Sequence, residues 1–158
     1  MLKLHNYDIV FQEIPDEITL ALNISNCPNR CAGCHSPHLR EDAGAALDES
    51  ALSQLLEKYG STVTCICFMG GDGSPGDLLR LAKHAKRFDK KLAWYSGNAT
   101  LHEHATAVFD YVKLGGYVEE LGGLDAPDTN QRFYRIEKGK MIDETGRFRR
   151  KRERYEME

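Results

Sequence analysis

The run TVTCICFMGG, Thr62 to Gly71, places β-branched and apolar side chains at odd and even positions alike before two glycines break it. A half-buried strand would alternate apolar with polar, so this pattern predicts a strand covered on both faces. Strands of that kind sit inside parallel sheets, whose crossovers put other layers against them. The neighbouring segments agree with such a sheet. Tyr7 to Ile14 and Ile18 to Ser25 read as strands separated by a turn at Pro15-Asp16. Asp48 can cap a helix carrying Leu52, Leu55, Leu56 and Tyr59 at helical spacing, with Gly60 ending it. A second helix begins near Pro75 with Leu78, Leu79, Leu81, Ala82 and Ala85 as its buried stripe, and Lys91 to Ser96 returns as a strand. A third helix is expected after Thr100, then a short strand from Tyr111 to Leu114 ending at Gly115-Gly116. Two short β-like runs around Glu137 to Lys140 could close as a C-terminal hairpin. Strand and helix alternate throughout, which predicts an α/β fold with a mainly parallel sheet and right-handed crossovers, open or curved into part of a barrel.

A chain of 158 residues fits one domain with a core large enough to need no disulfides. No apolar run approaches the roughly 20 residues that span a bilayer, so no membrane segment is expected. The start, MLKLHNYDIVFQEIP, carries Asp8 and Glu13 inside its apolar stretch and lacks the small-residue cleavage pattern of a signal peptide. A soluble, cytoplasmic protein is the expectation. In a reducing compartment, clustered thiols among five cysteines point to metal or redox chemistry rather than to bridges. Charge is uneven: residues 1–130 hold 11 basic against 18 acidic side chains, and residues 131–158 hold 10 against 6. Residues 1–146 therefore read as the domain and residues 147–158 as a basic, solvated tail. Nucleic acid is not expected as its partner, because no aromatic platform or recognition motif accompanies the charges.

In parallel α/β folds, ligands bind beyond the carboxyl ends of the strands. The irregular pieces all fall there: Asn26 to His38, Gly70 to Ser74, Ser96 to Asn98, and Gly115-Gly116. The first is the densest in chemistry, since CPNRCAGCHSPH holds Cys27, Cys31 and Cys34 with His35 and His38 beside them. Three thiolates suit zinc or an iron–sulfur cluster. With His35 or His38 as fourth ligand, zinc would form a closed structural site; a [4Fe-4S] cluster on three cysteines would leave one iron open to an exogenous ligand. Cys65 and Cys67 share one face of the central strand and read as small buried hydrophobes.

Three cysteines at this spacing, followed one strand later by Gly70-Gly71-Asp72, resemble the radical S-adenosylmethionine (SAM) superfamily. More narrowly, NISNCPNRCAGCHSPHL, FMGGD and GGLDAPDTNQRFYRI are similar to the activating proteins of anaerobic ribonucleoside-triphosphate reductases, over about Tyr7 to Ile136. The resemblance implies a reduced partial (β/α) barrel with a mostly parallel curved sheet. It also implies a [4Fe-4S] cluster held by Cys27, Cys31 and Cys34, and SAM as the molecule that it cleaves. The radical so formed would take a hydrogen atom from a glycine of a large glycyl radical reductase subunit, with a low-potential donor such as flavodoxin or ferredoxin supplying the electron.

By the same resemblance, Gly33 and His35 flank the last cysteine and would lie against SAM together with Cys34. Gly33 stands where the superfamily often has a larger side chain facing the adenine. Gly70, Gly71 and Asp72 match a GGE-type loop near the methionine amino group, with Asp one methylene shorter than Glu. Ser96, Gly97 and Asn98 follow the next strand and could bond the SAM carboxylate or ribose. Asn130, Gln131 and Arg132 match a late family segment. Other readings of the same residues are an activator of a different glycyl radical enzyme, a radical SAM enzyme with a small substrate, and a non-catalytic zinc-binding module. His5, His84, His102 and His104 have no partner pattern, and Trp94 and Tyr95 read as core or rim.

Overall fold

The computed structural model describes residues 2–24 and 45–148. Cys27, Cys31, Gly33, Cys34, His35 and His38 lie outside the described residues, as does the basic tail beyond Phe148. The strands are Lys3–Val10 (β1), Thr19–Ile24 (β2), Ala45–Ala46 (β3), Cys65–Met69 (β4), Lys91–Tyr95 (β5), Tyr111–Leu114 (β6), Arg132–Glu137 (β7) and Lys140–Asp143 (β8). The α-helices are Glu49–Tyr59 (α1) and Pro75–Ala85 (α2). All eight strands form one sheet in the order β3-β1-β2-β4-β5-β6-β7-β8.

The central run behaves as its composition requires: Cys65, Ile66, Cys67 and Phe68 of β4 are all fully buried. On one face, Leu20, Leu22, Ile66, Phe68, Leu92, Trp94 and Val112 pack with Leu52 and Leu56 of α1 and Leu78, Leu81, Ala82 and Ala85 of α2. On the other, Cys65, Cys67, Ala93 and Phe133 pack with Ile14. Both helices start where side-chain chemistry allows. Asp48 Oδ1 accepts the Ala51 N–H at 2.8 Å, and Pro75 occupies the first turn of α2, where a missing N–H costs nothing.

The expected partial (β/α) barrel is overturned. Only β2, β4, β5 and β6 run parallel; β1 and β3 join antiparallel on one side, and β7 and β8 join antiparallel on the other. A barrel-type sheet grows by repeated strand–helix units laid round its outside, whereas this one is extended by hairpins at both margins. The molecule is predominantly sheet; α1 and α2 lie on one face, and a further helical stretch begins at residues 146–148. The third helix is also absent: between β5 and β6 there is only a 3-10 turn, Ala105–Ala107. Fifteen residues must cross the sheet there and also bury Ala105, Val108 and Phe109, which leaves little length for a helix of several turns. β1 lies nearer the N-terminus than expected, because Ile14 leaves the sheet to fill the second core.

That second core is closed by the end of the described chain. Phe148 meets Phe133 edge-on at 5.1 Å between ring centroids, and Arg147 pairs with Glu144 at 2.9 Å and also with Asp16. Two carboxylates hold this closure. The Glu144 carboxyl sits below its usual range because Arg135 bonds it, with Arg147 adding to the effect against the cost of burial. Burial pushes the Asp143 carboxyl up, but the Thr145 backbone N–H and hydroxyl, together with Arg132, outweigh it and bring it down. A lowered folded-state pKa stabilises at pH values above the unfolded pKa of about 4, and the contribution disappears as pH falls through the folded value. Urea midpoints are therefore expected to drop between about pH 5 and pH 3. The drop should be smaller in Glu144→Gln, and an equal drop in that variant would assign it to other groups.

Candidate active site at the carboxyl ends of the parallel strands

Parallel pairing brings the carboxyl ends of β2, β4, β5 and β6 to one edge, and the turns that follow them are tied by side chains. After β4, Gly70 and Gly71 adopt φ values of +103° and +84°, a backbone that a Cβ would strain. At Gly70 a Cβ would also stand 3.0 Å from the Ile24 carbonyl oxygen, so the glycine lets the β4 turn rest directly on the last residue of β2. Ile24 is three residues before Cys27 in the sequence. Trp94 Nε1 donates to the Gly70 carbonyl at 2.9 Å, and Ser74 N donates to the Gly71 carbonyl at 3.1 Å.

Asp72 reaches across to the turn after β5. Its Oδ1 accepts the Ser96 hydroxyl at 2.6 Å and its Oδ2 accepts the Gly97 N–H at 2.9 Å, with Asn98 Nδ2 at 3.5 Å from Oδ1. Ser96 is buried, and its Oγ accepts the Asn98 N–H at 3.0 Å. The turn after β6 continues the connection. Lys113 Nζ donates to the carbonyls of Ser96 and Gly115, both at 3.1 Å, and lies over the Tyr95 ring. Gly115 N donates to the Asn98 carbonyl at 2.8 Å, Gln131 Nε2 to the Gly115 carbonyl at 3.3 Å, and Asn130 Nδ2 to the Gly116 carbonyl at 3.0 Å.

Of the residues singled out in the sequence, Gly70, Gly71, Asp72, Ser96, Gly97 and Asn98 thus come together, with Gly115, Gly116, Asn130 and Gln131 beside them. Arg132 turns instead to Asp143, at 2.7 Å. Two participants were not legible beforehand. Lys113 is an isolated lysine in a short strand, and Trp94 looks like core, which it is, while its indole N–H also holds the Gly70 carbonyl. A lysine two residues before a Gly-Gly at a strand end was the available signal for the first. Among the histidines, His84 packs between the helices, with Nε2 2.8 Å from Ser53 Oγ.

The five cysteines divide into two sets. Cys65 and Cys67 are free thiols sealed in the second core. Burial pushes the Cys65 thiol up to about 12 and the Cys67 thiol well above its ordinary value. Such thiols stay protonated, and metal binding and alkylation both need the thiolate. Iodoacetamide at pH 8 is expected to leave both unmodified in the native protein and to label them only in denaturant, as read by peptide mass spectrometry. Native labelling of either would contradict their enclosure. Among the described residues, no three His, Cys, Asp or Glu side chains gather as a metal site, and no helix is long and apolar enough to cross a membrane. A cluster or metal would therefore draw its sulfur ligands from Cys27, Cys31 and Cys34.

Searches against known protein families, curated proteins and solved structures returned no match to this chain.

Proposed function

We propose that this protein is an iron–sulfur enzyme that reductively cleaves SAM and generates a glycyl radical on an anaerobic ribonucleoside-triphosphate reductase. One observation carries the reading. The C-x3-C-x2-C sequence begins three residues after β2, and the Gly70–Asp72 and Ser96–Asn98 turns stand at the same carboxyl edge, on the next two parallel strands. The exclusion of Cys65 and Cys67 from ligand duty supports it further, because three cysteines suit a cluster with one open iron better than a closed four-sulfur site.

Cys27, Cys31 and Cys34 would hold a [4Fe-4S] cluster, which when bound would supply one-electron reductive cleavage of SAM, with a reduced flavodoxin or ferredoxin as the electron source and the reductase's glycine as the hydrogen-atom donor. The protein's own part is orientation and exclusion of other reactants. The glycine turn lets main chain approach a ligand where a Cβ would intrude. The bonded Ser96–Asn98 turn offers polar groups already fixed in place, so less ordering is needed when a ligand arrives. The large reductase subunit would present its glycine at this edge.

Anaerobic reconstitution with iron and sulfide, metal counting, and a 5'-deoxyadenosine assay with SAM and dithionite test the reading. Roughly four irons per chain and SAM-dependent deoxyadenosine are expected. A glycyl radical signal in electron paramagnetic resonance after adding the reductase would extend the result to the partner. One tightly held zinc, no cluster and no SAM cleavage would sink the proposal.

A further inference from the structure

Asp72 occupies the position where the family motif carries Glu, and the structure gives the shorter side chain a job of its own. We infer that Asp72 is a positioning residue, which sets the Ser96–Asn98 turn against the Gly70–Gly71 turn through Ser96 and Gly97 rather than contacting SAM. The inference rests on the SAM-cleaving reading for the identity of the ligand, but not for the geometry.

Both carboxylate oxygens are engaged by the neighbouring turn: Oδ1 by the Ser96 hydroxyl at 2.6 Å and Oδ2 by the Gly97 N–H at 2.9 Å. These are bonds to an ionised acceptor, the stronger class of hydrogen bond. The Ser96 hydroxyl hydrogen points to Asp72 while its oxygen accepts the Asn98 N–H at 3.0 Å, so one carboxylate orders three consecutive residues. Ser96 is 1% exposed, and water cannot readily replace the carboxylate there. From the opposite side, Lys113 holds the Ser96 carbonyl and Gly115 N holds the Asn98 carbonyl. The turn is therefore clamped between a carboxylate from the turn after β4 and a lysine from β6. With the present backbone, a Glu side chain would overshoot the span that Asp fills at 2.6 and 2.9 Å. The departure from the family pattern follows from the short distance between the two turns.

The test is a double-mutant cycle with Asp72→Ala, Ser96→Ala and the pair, read in two ways. Amide hydrogen exchange at Gly97 and Asn98 is measured on the chain without cluster or SAM. SAM affinity and iron content are measured after reconstitution. Each single variant is expected to raise exchange at both amides about tenfold or more and to weaken SAM binding about tenfold at unchanged iron content. The double variant should be no worse than the weaker-binding single, because both act through one linkage. Asp72→Asn serves if Asp72→Ala fails to fold; it keeps one acceptor and should give a smaller change in both readouts. Unchanged exchange with weakened SAM binding, or losses that add in the double variant, would make Asp72 a ligand contact and overturn the inference. If the wild type binds no SAM, the enzyme reading fails, while the positioning role still stands or falls on the exchange data.

Discussion

Cys31→Ala is expected to fold and yet, on the proposed SAM-cleaving reading, to lose deoxyadenosine formation almost completely. Before reconstitution the substitution removes one sulfur atom from a chain that binds no metal, so circular dichroism and the melting temperature of the unreconstituted chain should stay close to wild type. A cluster with two remaining thiolates loses a direct ligand. Perturbing a metal site's outer partners alone commonly costs about 10- to 100-fold, so removal of the ligand should exceed that. Iron should fall from roughly four to below about one per chain, and deoxyadenosine formation should fall by more than about 100-fold. Cys65→Ala, which removes a thiol from the second core, should keep both iron and activity. If the two variants behaved alike, the division of the cysteines into ligand and core sets would be wrong.

Gly70→Ala should be a strongly damaging single-methyl change at the site. A φ of +103° lies beyond the left-handed pocket that other residues tolerate, and strain of that kind costs on the order of 1–3 kcal/mol. The added Cβ would also stand 3.0 Å from the Ile24 carbonyl oxygen. That oxygen is main chain at the end of β2, beside a Gly70 carbonyl already held by Trp94, so neither side yields cheaply. A loss of about 3 kcal/mol is expected, lowering the melting temperature by about 6–12 °C, with SAM affinity falling as the turn shifts. Gly71→Ala is the control. Its φ is +84°, but its Cβ would meet the flexible ends of Leu78 and Ile24 at 3.2 and 3.4 Å, which move more easily. Its loss should be smaller, and equal losses would mean that strain alone, without the Ile24 contact, sets the cost.

Much of the fold was legible because its signals are local. The five residues expected on the buried stripe of α2 are its five buried residues, since a 3.6-residue repeat leaves one face to choose. Asp48 announced α1, and a run apolar on both parities announced β4. The partial barrel was what the resemblance implied and the mainly parallel sheet was inferred from the alternation of elements, and neither says anything about strand direction at the margins. That direction was decided by pairing: β1 turns back along β2, and β7 runs antiparallel to β6 with Phe133 entering the second core. The missing third helix is a failure of the same kind. Leu101, Ala105 and Val108 have helical spacing, but the short crossing puts Ala105, Val108 and Phe109 into the core by way of a 3-10 turn.

The site divides along the same line. The cysteine spacing and the Gly-Gly break after β4 are short-range patterns, and the sequence by itself was enough to nominate Cys27, Cys31, Cys34, Gly70 and Gly71. Only the tertiary structure decided that Asp72 meets Ser96 and Gly97, that Lys113 joins two turns, and how completely Cys65 and Cys67, read from the sequence as buried, are enclosed. Those facts depend on which strands lie side by side and how deeply a group is buried, and both arise from contacts between residues far apart in the chain.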